Sequence, residues 1–310
     1  MAKYLVTGGA GFIGSTIVDE LVARGESVRV LDNFSTGHKE NLNAVADKVE
    51  VIKGDICNID DVKKAVKGID YVINQAAYIS VPGSIKDPAM TNKINIDGTL
   101  NMLLESRAAG VKRFVTASSC AVYGSIKTFP LTEDMNPDPL SPYAISKVVN
   151  EYYCKTFNSL YGLETVALRY FNVYGPKQRA DSAYAAVIPL FISRLAKGEP
   201  CMIEGDGLQS RDFIFVKDIA NANITACTAQ GAAGGVYNVA RGRETTVKQL
   251  ADGIRKVMNK NIEHVHVAAR VGDIRKSFGD NSKLKKVFGI EPHVDLDEGL
   301  KKTVEWFLKI

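Results

Sequence analysis

The stretch LSPYAISKVVNEYY, residues 140 to 153, contains a tyrosine and a lysine four positions apart, Tyr143 and Lys147. They follow Pro142, which is favoured in the first turn of an α-helix, so a helix is predicted to begin here. Side chains four residues apart lie on the same helix face, which brings the phenol and the ammonium together. Such a pair is either an ordinary surface contact or a proton-transfer device, and the rest of the chain must distinguish the two.

The overall composition is typical of a globular enzyme. The chain has 310 residues, 45% hydrophobic and 24% charged, which is enough for two domains of usual size. Its formal charge of +4 comes from scattered lysines and arginines. This distribution argues against a nucleic-acid or polybasic membrane partner, so a small-molecule partner is expected.

The five cysteines are odd in number and form no CxxC pair, which argues against a disulfide framework or a zinc site. No metal is therefore expected. Apolar runs such as AAVIPLFI (185 to 192) are too short to span a bilayer, and strand-like residues begin at once without a signal peptide. These features predict a cytoplasmic protein that does not associate with membranes.

Short apolar stretches alternate with helical patterns over the first 170 residues or so. Parallel strands with right-handed crossover helices follow from this alternation, and we predict an α/β fold with a doubly wound parallel Rossmann sheet. The sheet domain is predicted over residues 1–171, with 212–240 packing back on it. A smaller mixed α/β substrate-binding domain is predicted from 172–211 and 241–310. The predicted strands are KYLVT (3–7), SVRVLD (27–32), VEVIKGD (49–55), DYVINQAA (70–77), KRFVTASS (112–119) and ETVALRYFNV (164–173).

The segment TGGAGFIG places Gly8, Gly11 and Gly14 between the first strand and the first helix. Glycine permits a tight turn and a close approach of the backbone to a pyrophosphate, and the helix N-terminus supplies free amides. A glycine triplet alone is also compatible with a plain structural turn. Here it occupies the strand, turn and helix context that dinucleotide binding requires.

Asp32 ends the second predicted strand, where a carboxylate can accept hydrogen bonds from the adenosine ribose hydroxyls. The carboxylate would repel a 2′-phosphate, which favours NAD over NADP, although a solvated aspartate at a strand end is the simpler alternative. The segment GDI at 54 to 56 suits an adenine contact. Asp55 would lie near the exocyclic amine and Ile56 on the ring.

The YxxxK spacing, the GxxGxxG turn and the serine-bearing segment ASSCAVYG together resemble the extended short-chain dehydrogenase/reductase family. The resemblance covers essentially the whole chain. It implies Ser119, Tyr143 and Lys147 as the catalytic set and NAD as the cofactor. The expected cofactor-binding residues are Gly8, Gly11, Phe12, Ile13, Asp32, Asn33, Ser35, Thr36, Gly37, Asp55, Ile56, Gln75, Ala76, Ala77, Asn95, Tyr143, Lys147 and Tyr170.

The catalytic set has a clear physical requirement. A free phenol has a pKa near 10, and a base that works near neutrality needs a drop of roughly 3 units, or about 4 kcal/mol. The neighbouring ammonium and the positive nicotinamide ring are expected to supply the charge. Lys147 can also hold the nicotinamide ribose, and Ser119 can share the substrate proton.

Family members share the first step, in which the tyrosine removes a hydroxyl proton while hydride passes to NAD. The dehydratases and decarboxylases of the family carry acidic residues just before VYG, where this chain has Cys120 and Ala121. Without those carboxylates the simplest outcome is return of the hydride. If the keto sugar has turned over first, the result is 4-epimerisation of a UDP-hexose.

The resemblance also implies a UDP-sugar site. Asn172 would contact the nucleotide-sugar phosphate, Arg211 and Arg270 the diphosphate, and Asp273 the uridine ribose. An arginine fork matches a diphosphate well. The expected substrate-binding residues are Ser80, Ser119, Tyr143, Asn172, Gln178, Arg179, Ala186, Val187, Arg211, Arg270, Asp273 and Ser277.

The sugar itself is left open. Ser277 stands where UDP-galactose epimerases that reject N-acetyl sugars have a tyrosine, which implies room for an acetamido group. Gln178 and Ala186 resemble bacterial UDP-N-acetylglucosamine epimerases, whereas Ile79 and Arg179 depart from them. Arg179 instead matches an arginine that pairs with the sugar carboxylate in UDP-glucuronate 4-epimerases, although those usually have threonine in place of Asn172. UDP-glucose and UDP-N-acetylglucosamine are preferred, with UDP-glucuronate as the alternative.

A non-catalytic NAD-sensing protein is the competing class, but such proteins commonly lose the tyrosine or the lysine. Assembly is a further expectation. The helix after Tyr143 has apolar residues around much of its circumference, which suggests a second buried face. The resemblance implies a homodimer in which this helix and the GTLNMLLES helix form a four-helix bundle; burial against later parts of the chain is the alternative. The apolar residues are Val148, Val149, Tyr152, Tyr153 and Phe157.

Overall fold

The computed structural model describes residues 1–180, 186–269 and 274–309. The strands are β1 (Lys3–Thr7), β2 (Ser27–Asp32), β3 (Val49–Lys53), β4 (Tyr71–Asn74), β5 (Arg113–Ser119), β6 (Glu164–Tyr170), β7 (Asn172–Tyr174), β8 (Met202–Glu204), β9 (Ser210–Arg211), β10 (Phe213–Phe215), β11 (Gly235–Val239), β12 (Thr245–Thr246) and β13 (Val265–Val267).

The α-helices are α1 (Phe12–Ala23), α2 (Ile59–Val66), α3 (Val81–Lys86), α4 (Pro88–Asn92), α5 (Gly98–Ala108), α6 (Pro142–Tyr161), α7 (Val187–Ala196), α8 (Val216–Ala226), α9 (Val247–Val257), α10 (Ser282–Phe288) and α11 (Leu296–Phe307). A π-helical turn over Lys93–Asp97 leads directly into α5.

Seven parallel strands form the central sheet in the order β11, β6, β5, β4, β1, β2, β3. From β1 the chain builds outward in one direction through β2 and β3, and then returns to the other side of β1 through β4. The carboxyl ends of β1 and β4 therefore flank the switch point at which sheets of this kind bind ligands. The predicted doubly wound α/β fold is confirmed.

Both faces of this sheet are covered, which explains why its strands are nearly continuous apolar runs. On one face Ile17 of α1 and Ile219 of α8 belong to the same buried cluster as β1 and β6. On the other face Val62 of α2, Met102 of α5 and Phe157 of α6 form a second cluster. The helices thus pack the sheet from two sides and leave its carboxyl edge for the loops.

A third apolar cluster lies away from the large sheet. It joins α7, α9 and α11 to β8 and β10 through residues such as Phe191, Leu250 and Leu300. β11, in contrast, joins the large sheet beside β6, and α8 packs on α1. The domain boundary at residue 171 stays a prediction.

Three predicted strands are shorter in the structure: β3 ends at Lys53, β4 spans Tyr71–Asn74 and β5 begins at Arg113. Two further elements differ because the backbone changes its hydrogen-bond partners or its helix type. The strand predicted over 164–173 ends at Tyr170, because Phe171 N donates to Val239 O whereas Asn172 N donates to Asp212 O. The backbone changes partners at this point, and β7 pairs with β10 in a separate two-stranded sheet.

The second difference lies in the segment INIDGTLNMLLESRAAG (94–110), whose pattern predicts a single helix ending in glycine, whereas the structure begins this segment with a π-helical turn. There Asn150 Nδ2 donates to Asn95 O at 2.9 Å, so this carbonyl is engaged by a side chain of α6. π-helical turns inside α-helices are frequent at functional sites.

In the described ranges no helix has both the length and the apolar character that crossing a bilayer would require.

Candidate active site

Helix α6 begins where the sequence predicts. Ser141 is its N-cap, and the Ser141 hydroxyl accepts a hydrogen bond from Ala144 N at 3.2 Å, while Pro142 occupies the first turn. This start directs Tyr143 and Lys147 toward the carboxyl end of β5.

Lys147 is buried, and its Nζ donates to Ala117 O at 2.9 Å. The same Nζ lies 5.7 Å from the centroid of the Tyr143 ring. Removal from water disfavours the ammonium and lowers the pKa of Lys147 to about 8, against an opposing influence from Glu151. The structure therefore brings the predicted pair together, with the lysine buried and the tyrosine half-buried rather than fully on the surface.

Tyr143 is hydrogen-bonded through its side chain to Ser119. Burial raises the pKa of Tyr143 to about 12, and the hydrogen bond from Ser119 opposes this only in part. The described protein groups thus do not produce the predicted drop in the pKa of the phenol, because desolvation outweighs them. The predicted drop is assigned to the ammonium and the nicotinamide ring together, so it stays a prediction for the NAD-bound protein.

The glycine turn after β1 is shaped for close packing. Gly8 has φ 63°, and a Cβ there would lie 2.8 Å from Ala76 N. A Cβ on Gly14 would lie 2.1 Å from Gly8 O. Gly11 is the N-cap of α1 and brings no side-chain cap, so the amides of the first turn are available to an anion. This cradle, which side chains would fill, fits the pyrophosphate of a dinucleotide.

Asp32 is buried at the end of β2. Its Oδ2 accepts from Ala10 N at 2.9 Å and its Oδ1 from Phe34 N at 2.8 Å. Each carboxylate oxygen has two acceptor sites, so capacity is left for ribose hydroxyls. The carboxylate also organises the loop that receives the ribose.

Asn33 Nδ2 donates to Asp55 Oδ2 at 2.9 Å, which links the ends of β2 and β3. Burial would raise the pKa of Asp55, but hydrogen bonds from Cys57 N and from Asn33 lower it on balance. An ionised Asp55 at this position is an acceptor suited to an adenine amine.

Three predicted cofactor residues have extensive protein contacts. Gln75 Nε2 donates to Tyr170 Oη at 2.9 Å and to Asn223 Oδ1 at 3.1 Å. Asn95 Oδ1 accepts from Tyr78 N, and its Nδ2 donates to Tyr78 O and to Ser146 Oγ.

Ile56 is the third of these predicted cofactor residues, and it packs against Gly98. A Cβ built on Gly98 would lie 2.7 Å from the Ile56 side chain. Roles of these three in cofactor binding stay predictions. The other predicted cofactor residues follow the carboxyl ends of β1, β2 and β4: Phe12 and Ile13 begin α1, Ser35, Thr36 and Gly37 follow β2, and Ala76 and Ala77 follow β4.

A cavity of about 500 Å³ lies among β7, β8, β9, β10 and α7. Several residues predicted to bind substrate line it: Asn172, Gln178, Ala186, Val187 and Arg211. Sequence reasoning missed other lining residues, among them Tyr174, Phe191, Glu204, Gln209 and Phe213. Most of these lie in strands of two or three residues or just beside them, too short for a recognisable pattern.

The remaining predicted substrate residues lie elsewhere. Ser80 is the N-cap of α3, where its hydroxyl accepts from Gly83 N at 2.9 Å. Ser277 is buried, and its amide donates to Ser210 O at 3.2 Å, next to Arg211 in the neighbouring strand. Arg270 and Asp273 lie outside the described residues.

The loop after β7 is anchored by a residue that sequence reasoning missed. Lys177 has φ 71°, unusual for a residue with a side chain, and its Nζ bonds Asp19 of α1 at 2.6 Å and Asn41 O at 2.8 Å. The next two residues are Gln178 and Arg179. Among the described residues, Gln178 Oε1 and Arg179 Nε are buried polar atoms without a hydrogen-bond partner. Such atoms are candidates for ligand contacts.

Fold and site together define a dinucleotide-dependent α/β enzyme with a serine, tyrosine and lysine set and a ligand-sized cavity lined by other residues. The chain belongs to the NAD-dependent epimerase/dehydratase family, whose sequence profile matches residues 4–240. The predictions of the family, of an enzyme and of NAD as its cofactor are thereby confirmed.

Individual relatives match over nearly the full length. A putative UDP-glucose 4-epimerase from Methanocaldococcus jannaschii is 41% identical over 304 residues, covering 97% of each chain. The structure of a UDP-N-acetylglucosamine 4-epimerase from Methanobrevibacter ruminantium, in complex with UDP-N-acetylmuramic acid, has a TM-score of 0.95 and 44% identity, over 99% of this chain and 98% of that one. The UDP-glucose 4-epimerase of Thermotoga maritima with UDP-glucose has a TM-score of 0.94 and 40% identity, over 99% of both.

Proposed function

We propose that the chain is an NAD-dependent 4-epimerase of UDP-sugars. It interconverts UDP-glucose with UDP-galactose, and UDP-N-acetylglucosamine with UDP-N-acetylgalactosamine, through a transient 4-keto sugar. The observation that carries this proposal is the arrangement of Ser119, Tyr143 and Lys147 at the carboxyl end of β5, without a carboxylate at positions 120 and 121. The names of the similar proteins support UDP-sugars as the substrate class.

The residues that would hold NAD are those of the glycine cradle, Asp32 and the pair at Tyr143 and Lys147. Backbone amides at the start of α1 would bind the pyrophosphate, and Asp32 would accept hydrogen bonds from the adenosine ribose. When bound, NAD supplies a reversible hydride acceptor for carbon 4 of the sugar.

Tyr143 moves the proton. Its Oη removes the proton from the hydroxyl on carbon 4, and the same phenol returns a proton to the keto oxygen after the sugar has turned over. The Ser119 hydroxyl shares this proton because it is hydrogen-bonded to the phenol. Lys147, buried and directed by Ala117 O, supplies positive charge beside the ring.

The neighbouring positions favour epimerisation over elimination. Burial raises the pKa of the Cys120 thiol to about 12, so it stays protonated at neutral pH, and Ala121 has no ionisable group. Neither can act as the base that removal of a proton from the next carbon would require. The keto sugar therefore has one outcome, return to a hexose.

The cavity among β7, β8, β9, β10 and α7 would hold the nucleotide while the keto sugar turns over. Arg211 and Asn172 are suited to the diphosphate. The small side chain of Ser277, close to Arg211, leaves room for an acetamido group. Asn172, Arg211 and Ser277 together support both unsubstituted and N-acetylated hexoses as substrates.

UDP-glucuronate is the second candidate substrate, and Arg179 favours it. Its Nε is buried without a partner among the described residues, and a sugar carboxylate would be a matching acceptor. Arg179→Gln separates the two proposals, since it should abolish turnover of the glucuronate and leave UDP-glucose turnover within about twofold.

The deciding experiment incubates the NAD-loaded protein with UDP-glucose, UDP-N-acetylglucosamine and UDP-glucuronate in turn and follows the products by ¹H NMR. Conversion of the first two to their 4-epimers is expected. Exclusive use of UDP-glucuronate would reverse the ranking. No conversion of any of the three, with NAD bound, would favour a non-catalytic NAD-sensing protein.

Tyr143→Phe tests the catalytic assignment. It should bind NAD as the unmodified protein does and lose at least about 100-fold in turnover, the range for a general acid or base. Turnover that is unchanged in this variant would remove Tyr143 from the mechanism.

A further inference from the structure

Helix α6 and strand β5 meet through three matched contacts. Tyr143, Lys147 and Glu151 follow one another at intervals of four residues along one face of α6. Tyr143 bonds Ser119, and Lys147 Nζ bonds Ala117 O. Glu151 Oε1 accepts from Ser118 Oγ at 2.5 Å. Three consecutive residues of β5 thus hold three successive turns of the helix, and two of those turns carry catalytic side chains.

Glu151 is itself held from a second strand. Arg169 of β6 donates to it through Nε at 2.8 Å and through Nη2 at 2.7 Å, a bidentate ion pair. Both side chains are almost completely buried, with 7% of Glu151 and 4% of Arg169 exposed. The Arg169 guanidinium also lies 4.7 Å from the centroid of the Tyr123 ring. Bidentate geometry of this kind defines where a carboxylate sits and how it is oriented.

The charged and polar groups around this carboxylate come from three elements. Arg169 faces it from β6, Ser118 from β5, and Lys147 and Cys154 from α6 itself. Arg169 in turn interacts with Tyr123 and, more weakly, with Glu133. Among these described groups Glu151 is the anion that acts on Lys147, and it does so at low dielectric, where such interactions are strong.

We propose that Glu151 is a positioning residue for the proposed epimerisation, which keeps the buried Lys147 ammonium charged and directed at Tyr143. The inference rests on the proposed function, because it assigns Glu151 a part in the same proton transfer. Arg169 and Ser118 hold the carboxylate in place for this purpose. The ordinary alternative is that the ion pair only ties α6 to the sheet.

Glu151→Gln separates these alternatives, since glutamine retains the shape and loses the charge. The expected result is a fall in kcat of about tenfold or more, with NAD still bound, and a shift of the alkaline limb of the pH–rate profile to lower pH by about one unit. A second readout needs no substrate. With [ε-¹³C]lysine labelling, the Lys147 resonance is identified by its loss in Lys147→Met, and its titration midpoint should fall by about one unit in Glu151→Gln.

The matched control is Glu164→Gln. Arg113 and Glu164 form an ion pair between the same two strands, β5 and β6, at the end away from the catalytic set, with a separation of 2.6 Å. Glu164→Gln should leave the pH–rate profile and the Lys147 midpoint unchanged. A shift of similar size in this control would show a general effect of strand pairing and overturn the proposal.

The double variant Glu151→Gln with Arg169→Met removes both charges, so it leaves no unpaired guanidinium in the core. It serves if the single variant does not fold, and it should also lower the Lys147 midpoint. The proposal is overturned if the titration midpoint of Lys147 is unchanged in whichever variant folds. It is also overturned if neither variant folds while Glu164→Gln is stable. Absence of epimerase activity in the unmodified protein would refute the proposed function but leave the midpoint comparison decisive for Glu151.

Discussion

At the scale of single residues, the environment of Tyr143 shows how the protein groups alone shift the pKa of the phenol and how much the cofactor must lower it. Burial raises the pKa of the phenol to about 12, two units in the direction opposite to the one that a base requires. Lys147, four residues away, is buried, and desolvation lowers its own pKa to about 8. A site without a further positive charge therefore keeps the tyrosine protonated.

This leads to a prediction for phenol ionisation. In NAD-free protein the Tyr143 phenol should ionise near pH 12, and binding of NAD should lower this midpoint by several units because a positive ring is placed nearby. Ultraviolet difference titration at the phenolate band, comparing the unmodified protein with Tyr143→Phe, isolates this tyrosine. Ionisation near neutral pH without NAD would mean that the protein groups alone are sufficient.

Lys147 gives a second prediction, for stability. Its pKa is about 8 in the fold and 10.5 in an unfolded chain, so between these values only the unfolded state holds the proton. Stability must then rise with pH through this window, and the contribution is lost as pH falls toward 8. Relative to Lys147→Met, the unmodified protein should gain about 3 kcal/mol between pH 8 and 10.5, measured by urea unfolding. A constant difference across the window would contradict the lowered pKa.

At the scale of elements, the first helix and the loop before it act as one unit. Alanine normally stabilises a helix relative to glycine by about 1 kcal/mol. In α1, however, a Cβ at position 14 would come within 2.1 Å of Gly8 O, and a backbone atom cannot move aside as a flexible side chain can. The glycine is needed because helix and phosphate loop touch.

Gly14→Ala should therefore displace the loop and raise the dissociation constant for NAD at least about tenfold, measured by isothermal titration calorimetry. Gly253→Ala in α9 is the control, because its Cβ would meet only the side-chain Cδ1 of Leu300, at 3.2 Å. That variant should bind NAD normally. Equal affinity for NAD in both variants would argue against a close-packed phosphate loop.

At the scale of the whole molecule, the exposed apolar residues of α5 and α6 indicate whether two copies of the chain associate. Much of the apolar circumference of α6 packs within the chain: Phe157 is buried, and Val148 and Tyr153 pack against the two sheet clusters. Burial by the chain's own segments thus accounts for these residues. Tyr152 and Leu160 of α6 and Leu104 of α5 remain exposed, Tyr152 by 61%. Exposed apolar residues grouped on two neighbouring helices favour a partner surface.

The prediction is a homodimer through these helices, which is the assembly that the family resemblance implies. Tyr152→Glu should convert the protein to monomer in light scattering at micromolar concentration, because an ionised carboxylate would be buried in the interface. Leu308→Glu, at a similarly exposed apolar position near the chain end, is the control and should leave the dimer intact. A monomeric unmodified protein would decide against this interface.

Much of the fold was predictable because its signals are local. The glycine turn, the YxxxK spacing and the alternation of strands and helices each depend on neighbours within a few residues. The observed β1 and β2 have the predicted bounds, and α6 begins where it is predicted to begin. Phe171 was not predictable in this way. It lies between β6 and β7 because its own amide bonds Val239 O whereas the next amide, that of Asn172, bonds Asp212 O, and both acceptors are far along the chain.

The amino-acid sequence by itself determined the alternation of strands and helices in the first half, the glycine turn and the candidate tyrosine, lysine and serine, since spacing along one helix or one turn is a property of the local chain. Only the tertiary structure decided that Ser118 and Arg169 both bond Glu151, one helical turn after Lys147. It also decided that Glu204 and Gln209 line the cavity among β7, β8, β9, β10 and α7. The tertiary structure also decided that the pKa of Tyr143 is raised and that the pKa of Lys147 is lowered. Burial and contact between distant segments control all three outcomes, and neither is encoded in the spacing of any one segment.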